Sequence, residues 1–436
     1  MSRLLLIAIA LALAGCEKTT HENLDKWTHT EKGAGKIAKA LADESIDPDL
    51  SAHAAENMMV KTGKDADVRT ALEQMSSGRR TEVVAKLAPR LWGEARVEGD
   101  MSKPNATQVI AKDQLIAIRK YADDATKQQI DSYLVDWYCV GSFEQRSELG
   151  SNYGYTVMRL IGDRAAKKLM EVGNATIAAP GQDKVKNRIG DNLMIGLAAT
   201  CTTDTVTYLL DIVKMANDRH DDTLPGRALD AIYKAYVDSG GLFDPCPPAA
   251  LQPDIDRFVA IAKDEGLGAN VAQDGVKLLR TIGPPACIAP LVGMVGHPHP
   301  NPHFKYVIAQ QALRCGGVAA IKDVVRALPD VAYTKEELDG AIAAEIAPMS
   351  PRVQVLAALR ELLDDKSHIA RWAAVETLAA MKSTEDAPRL AAVKSSDKLV
   401  GFWGDQTGLP PKDRKEEPTL GARAKELAEQ LGKGAK

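Results

Sequence analysis

The chain has 436 residues, a formal net charge of −4, 26% charged, 45% hydrophobic and only 5% aromatic residues. That balance offers no general attraction to nucleic acid, and the length is large for one compact core but ordinary for a repeat array. Runs of alternating β-branched residues are scarce, so a sheet is not expected. The first element is Met1-Ser2-Arg3 followed by an apolar run of 11 residues from Leu4 to Ala14, too short to cross a bilayer, which takes about 20. It reads as the hydrophobic region of an export signal. No later apolar segment reaches spanning length.

The run closes on Leu13-Ala14-Gly15-Cys16, which resembles the bacterial lipobox, where small residues let a peptidase cut just before a cysteine. The resemblance implies a signal peptide over residues 1–15 and a diacylglycerol on the Cys16 thiol, with a further acyl chain such as palmitate on the freed amine. Two or three chains, at about 0.8 kcal/mol per buried methylene, hold a soluble body to a membrane far better than one. Glu17 stands where some enterobacterial lipoproteins carry an inner-membrane retention Asp, which favours the outer membrane with the body facing the periplasm. Residues 16–30 are mostly polar, with Leu24 and Trp27 the sizeable apolar exceptions, and read as a tether.

From residue 31 the apolar positions recur at helical spacing. Ile37 to Leu41 leads through Asp47-Pro48-Asp49 to Ala52 to Ala55 and Met58-Met59. Between about Lys64 and Gly173 the pattern loosens, with helical stretches Ala71 to Leu91, Val109 to Tyr121 and Gln128 to Cys139. Beyond it one apolar pattern returns in phase, ending at Cys201, Val237, Ile282, Cys315, Ile346 and Met381, in steps of 36, 45, 33, 31 and 35 residues. The clearest unit is Val353 to Leu363, a polar break Asp364 to Ser367, then His368 to Met381. A break that short predicts an antiparallel helix pair.

This unit resembles a HEAT repeat of the bacterial type, in which an Asp in the turn is followed six residues later by an Arg in the second helix. Asp365 with Arg371 and Asp221 with Arg227 have that spacing, whereas the same step from Asp47 reaches His53 and from Asp264 reaches Asn270. The resemblance implies that the Asp caps the turn and the Arg pairs with an Asp of a neighbouring repeat. The expected fold is all-α: a HEAT/armadillo-like α-solenoid of stacked antiparallel helix pairs over residues 31–395, roughly eight or nine pairs, each burying its apolar face only against its neighbours. Residues 396–436 form an extension with Phe402-Trp403 and a charged run from Lys412 to Glu417. Its amphipathic helix carries Leu420, Ala424, Leu427 and Leu431 on one face and is expected to cap the open end of the array. Phe402 and Trp403 are expected to pack on the last repeat rather than to anchor a partner.

Candidate chemistry is sparse. His297, His299 and His303 in a Pro-rich segment could surround zinc, for which imidazole is a common ligand at about 2.1 Å. The segment falls in a turn between paired helices, and its prolines stiffen it without converging the rings, so a solvated turn is the expectation. With Cys16 lipidated, Cys139, Cys201, Cys246, Cys287 and Cys315 remain. An odd number leaves at least one thiol free or paired with another chain in an oxidising compartment. Cys246 and Cys287, each beside prolines in adjacent repeats, are the candidate bridge, while Cys201 and Cys315 read as small core residues. There is no C-x-x-C pair, nucleophile elbow, H-E-x-x-H helix or phosphate loop, so neither a catalytic residue nor a cofactor is expected. Paired acids such as Asp123-Asp124 and Asp364-Asp365 fall in inter-helix turns, where capping explains them.

These readings predict a lipid-anchored, non-catalytic scaffold in the cell envelope that binds a protein or peptide along its helical surface. The alternative is a repeat protein resembling the phycobilin lyases, supporting an enzyme or handling a ligand or metal, which would require a ligand-sized polar pocket.

Overall fold

A computed structural model describes residues 18–97, 103–178, 189–218, 223–297, 304–331 and 333–433. Among them the secondary structure is helical, with a single isolated antiparallel bridge between Lys398 and Thr419. No described helix is long and apolar enough to cross a membrane. The chain divides into two compact units, Met1–Thr202 and Thr203–Lys436.

The first unit comprises α1 (His21–Thr28), α2 (Gly33–Ala42), α3 (Pro48–Glu56, running into a π turn Asn57–Lys61), α4 (Asp65–Gln74), α5 (Ser77–Ala95) and α6 (Ala106–Ile118). It continues with α7 (Asp124–Cys139), α8 (Phe143–Ser147), α9 (Gly154–Ile161), α10 (Asp163–Ala178) and α11 (Asp191–Ala199). Side chains set several starts: Asp47 accepts Asp49 N at 2.8 Å ahead of α3, and Asp123 accepts Thr126 N at 2.8 Å ahead of α7. Asn105 and Gln108 form a reciprocal capping box ahead of α6, satisfying donors that a helix leaves orphaned. Helices α3, α5, α7, α9 and α11 pack successively on one another, so alternate helices form a row. The continuous stretch expected from Ala71 to Leu91 is broken instead, because Met75 is extended and Ser76 starts a new helix.

One expectation is corrected here. The polar stretch 16–30 is not a tether throughout, because α1 occupies most of its second half with Leu24 fully buried and Trp27 5% exposed. Helix α1 packs on α2 and α3, and burying a side chain of this size is worth about 1.5–3 kcal/mol. Two apolar residues three apart on a polar helix suffice to dock it. Gly33 sits so close beneath α1 that a Cβ would come within 1.6 Å of the Trp27 carbonyl oxygen, so the α1–α2 corner requires glycine.

The second unit is more regular. Its pairs are α12 (Thr203–Asp218) with α13 (Leu224–Tyr236), α14 (Ile255–Lys263) with α15 (Ala269–Ile282), and α16 (Ile288–Val295) with α17 (Phe304–Gly316). Helix α18 (Ile321–Ala327) is followed by α19, which runs from Lys335–Glu337 through a π segment Leu338–Ala343 to Ala344–Ile346. Then come α20 (Arg352–Leu362) with α21 (His368–Ala380), and α22 (Ala387–Ala391) with α23 (Leu420–Lys433). Second helices α13, α15, α17, α19, α21 and α23 stack in one row, and first helices α14, α16, α18 and α20 in another. This double row of antiparallel pairs is the solenoid architecture expected from the repeat spacing. Cys201, Val237, Ile282, Cys315, Ile346 and Met381 all fall within two residues of the end of a second helix. On α23, Leu420 and Ala424 are fully buried and Leu427 and Leu431 nearly so. That helix closes the row as the second member of a pair whose connection is the long irregular segment 392–419.

Cations clamp successive pairs. Arg257 meets Asp211 at 2.7 Å, Arg314 meets Glu345, Lys322 meets Glu361 at 2.8 Å, and Arg360 binds Asp386 at 2.7 and 2.9 Å. The Asp–Arg spacing of the clearest unit sits in such a chain. Asp365 accepts Ser367 N at 3.0 Å and Arg326 Nε at 2.7 Å, while Arg371 bonds the Asp365 carbonyl at 2.5 Å and pairs with Asp397 of the next repeat. Asp221 lies outside the described residues. His53, in the Arg slot of the opening unit, meets Asp25 of α1 at 3.1 Å, so a cross-helix polar contact stands there with imidazole in place of guanidinium.

Candidate functional site

Cys16, His299 and His303 lie outside the described residues. His297 follows α16, with its backbone N–H donating to Met294 O at 2.9 Å. Among the described residues no group of three or more His, Cys, Asp or Glu is placed to hold a metal ion.

The cysteine pairing differs from the expected one. Cys287, at the start of α16, is bonded to Cys315, near the end of α17, with Cα atoms 6.3 Å apart. Cys287 is therefore not joined to Cys246. In an antiparallel pair the start of the first helix lies beside the end of the second, which puts these two cysteines closer than residues in successive turns. Cys201 is itself a disulfide cysteine, as is Cys246, so neither Cys201 nor Cys315 is a simple core residue. Cys139 is a free, buried thiol, and burial pushes it up to about 12, far from the thiolate that reactivity needs.

Phe402 is fully buried, 5.0 Å from the Trp372 ring and 4.8 Å from Trp403. Trp403 donates to Glu416 O at 3.0 Å, and Lys415 sits 4.6 Å above its ring. The pair thus packs the extension onto the last repeats. Lys335 N donates to Phe402 O at 2.7 Å, joining α19 to the same loop across an open cleft of about 630 Å³.

A polar network that sequence reasoning missed joins α1, α3 and α5. His21 Nδ1 lies 2.8 Å from His53 Nδ1, His21 Nε2 lies 3.2 Å from Asp49, and His53 Nε2 lies 3.1 Å from Asp25. Arg90 binds both Asp49 oxygens at 3.1 and 3.0 Å and reaches Glu56 at 3.4 Å, while Lys61 and Asn57 donate to Asp25. If His53 Nε2–H donates to Asp25, its Nδ1 must accept from His21 Nδ1–H, and His21 Nε2 then needs a second N–H to serve Asp49. The full set of contacts requires one proton more than two neutral imidazoles carry. Burial depresses His53 and raises Glu56, whereas Arg90 holds Asp49 low. The signal was present as His53 in an Arg slot, but its partners come from helices 28 or more residues away.

Another cleft, in the first unit and of about 390 Å³, is lined by Arg69 of α4, Ile116 and Ala117 of α6, Arg119 and Lys120 of the short 3₁₀ turn after α6, and Leu160 of α9. It lies across several helices, where a stacked array offers groove surface.

No family model matches the sequence, and no curated protein matches it. Among solved structures, the chain is similar to human deoxyhypusine hydroxylase in complex with glycerol, at 17% identity and a TM-score of 0.25 over 69% of this chain and 98% of that one. It is similar to a chain of the Pds5–Scc1 complex at 11% identity and a TM-score of 0.32, covering 86% of this chain and 61% of that one. It is also similar to Kap121p bound to Ste12p at 10% identity and a TM-score of 0.29, covering 84% of this chain and 40% of that one. The chain thus spans less than two thirds of the length of the last two. Its own stacked helix pairs, two rows deep in the second unit, make it an all-helical repeat protein.

Proposed function

We propose that this chain is exported, anchored to the outer membrane by lipid on Cys16, and serves as a non-catalytic protein-binding scaffold facing the periplasm. The observation that carries the binding part is the stacking of helix pairs in rows, which leaves extended helix faces open to a partner while each core is closed by its neighbours. Export is supported by the disulfide-bonded state of Cys201, Cys246, Cys287 and Cys315, since such bonds persist in oxidising compartments. Anchoring rests on the sequence around Cys16.

Two measurements test the reading. Cys16→Ala is expected to leave the chain unlipidated and to release it from the membrane fraction; a variant that stays with membranes through high-salt washing overturns the anchor. Crosslinking with mass spectrometry in the native cell is expected to recover a protein partner joined to the helical body, and crosslinks to this chain alone would overturn the scaffold reading.

A further inference from the structure

We propose that the cleft between Arg69, Arg119, Lys120 and Leu160 docks an acidic, leucine-bearing segment of a partner protein, a proposal that rests on the scaffold reading above. The lining holds three cations and three apolar side chains and no carboxylate. The volume of about 390 Å³ falls within the ordinary range of about 300–1,000 Å³ for ligand clefts. Leu160 is 48% exposed, a large apolar residue presented beside charged groups rather than packed away.

Each lining cation has a carboxylate partner, of which Asp131 alone is buried. Asp131, 1% exposed, takes both bonds of Arg119, at 2.5 and 3.0 Å, and a third from Arg164 at 2.6 Å. One buried carboxylate therefore serves two guanidinium groups. Glu73 is shared between Lys120 at 3.3 Å and the Tyr121 hydroxyl at 2.5 Å, while Lys120 remains 61% exposed. Asp65 neutralises Arg69 within α4, and Arg80 adds a further cation 5.9 Å from the Tyr121 ring. Arg69 and Lys120 thus have one carboxylate each, while Arg119 and Arg164 share Asp131, which leaves one positive charge over beside the cleft. An excess of positive charge within a chain of net charge −4 makes the patch complementary to acid, and charge complementarity of this kind steers and selects partners.

The apolar floor distinguishes a peptide from a membrane. Polybasic surfaces that bind anionic lipid carry about 4–8 Lys or Arg without need of a pocket, whereas this cleft sets Ile116, Ala117 and Leu160 between its cations. A leucine seated on these three places carboxylates one or two residues away within reach of Lys120 and of the guanidinium of Arg69, whose exposed edges can accept a second partner.

The test uses the full chain in detergent and a fluorescein-labelled octapeptide of alternating glutamate and leucine, with the lysine–leucine octapeptide as its control. The acidic peptide is expected to bind at least about tenfold tighter than the basic one and to weaken as salt rises. Lys120→Glu and Leu160→Ser, both at exposed positions, are each expected to weaken it by about fivefold or more, with Leu409→Ser of the other unit as the control that leaves it unchanged. Equal affinity for the two peptides overturns the proposal, as does acidic-peptide binding that neither cleft variant alters. Loss of binding to phosphatidylglycerol vesicles in the same variants, without loss of peptide binding, assigns the cleft to lipid instead and overturns it too. Cellular partner crosslinks that persist in the Lys120→Glu chain would remove this cleft while leaving the scaffold reading intact.

Discussion

Arg423 on α23 is 6% exposed and binds Glu376 of α21, itself 3% exposed, through Nε at 2.7 Å and Nη2 at 3.0 Å, with a further bond to Glu426 at 2.8 Å. The guanidinium also lies 5.6 Å from the Phe402 ring. These partners hold its proton more tightly than usual although burial acts against the charge. Removing one member of such a pair leaves the other charged and buried, which costs about 3–5 kcal/mol. Helix α23 is otherwise held chiefly by Leu420, Leu427 and Leu431, each fully or nearly buried and each worth about 1.5–3 kcal/mol. Loss of the clamp therefore equals roughly two of its three leucine anchors. A terminal repeat contacts only its inner neighbour, so Arg423→Met is expected to fray α23 rather than unfold the whole array. Hydrogen exchange followed by mass spectrometry should show protection lost over residues 420–433 and along the facing side of α21, with the first unit unchanged. The double variant Arg423→Met with Glu376→Leu should recover most of the loss, because apolar replacement of a buried ion pair is often neutral or better. Unaltered protection in Arg423→Met, or a double variant as damaged as the sum of the single ones, would refute the reasoning.

Further outcomes follow from the same geometry. Leu24→Ala is expected to cost about 2–5 kcal/mol and to release α1, read as rapid proteolytic cleavage between residues 18 and 33; unchanged protease resistance counts against a docked α1. Replacing Cys287 and Cys315 together by Ser should lower stability by about 2–4 kcal/mol, and non-reducing peptide mapping should recover Cys287 linked to Cys315, a Cys246–Cys287 peptide being the contrary result. Because burial holds His53 below its ordinary 6.5, the unfolded chain binds its proton first, so the stability linked to neutral His53 is present above 6.5 and is lost as pH falls toward the depressed folded value. Thermal melts should show this loss, and His53→Gln should abolish it while sparing the separate fall below about 4 that the depressed Asp25 and Asp49 produce.

How much was legible in the residues is clearest where local and non-local effects meet. The step from Cys201 to Met381 marks the ends of second helices because a helix must turn its apolar stripe toward the same neighbour in each repeat, and that periodicity is written locally. The turn at Asp364 to Ser367 is likewise local, with Ser367 accepting Ala370 N at 3.3 Å to start α21. By contrast, Leu24 and Trp27 in a polar stretch carried no periodicity strong enough to distinguish a docked helix from a tether. What decides between them is the face of α2 and α3 waiting to be covered.

The residues by themselves determined the helical class and the pairing of adjacent helices, which follow from spacing over roughly 11–18 positions, and the register of the repeats, which follows from the same apolar pattern returning in steps of 31 to 45 residues. The tertiary structure decided which groups on different elements meet. It joined Cys287 to Cys315 rather than to Cys246, brought His21 against His53, and set two guanidinium groups on the single carboxylate of Asp131. It also brought Arg69, Lys120 and Leu160, from separate helical segments, around one cleft. The physical reason is that a stacked helix presents only one stripe to each neighbour, and which residues share a stripe boundary depends on crossing geometry and loop length rather than on any local pattern.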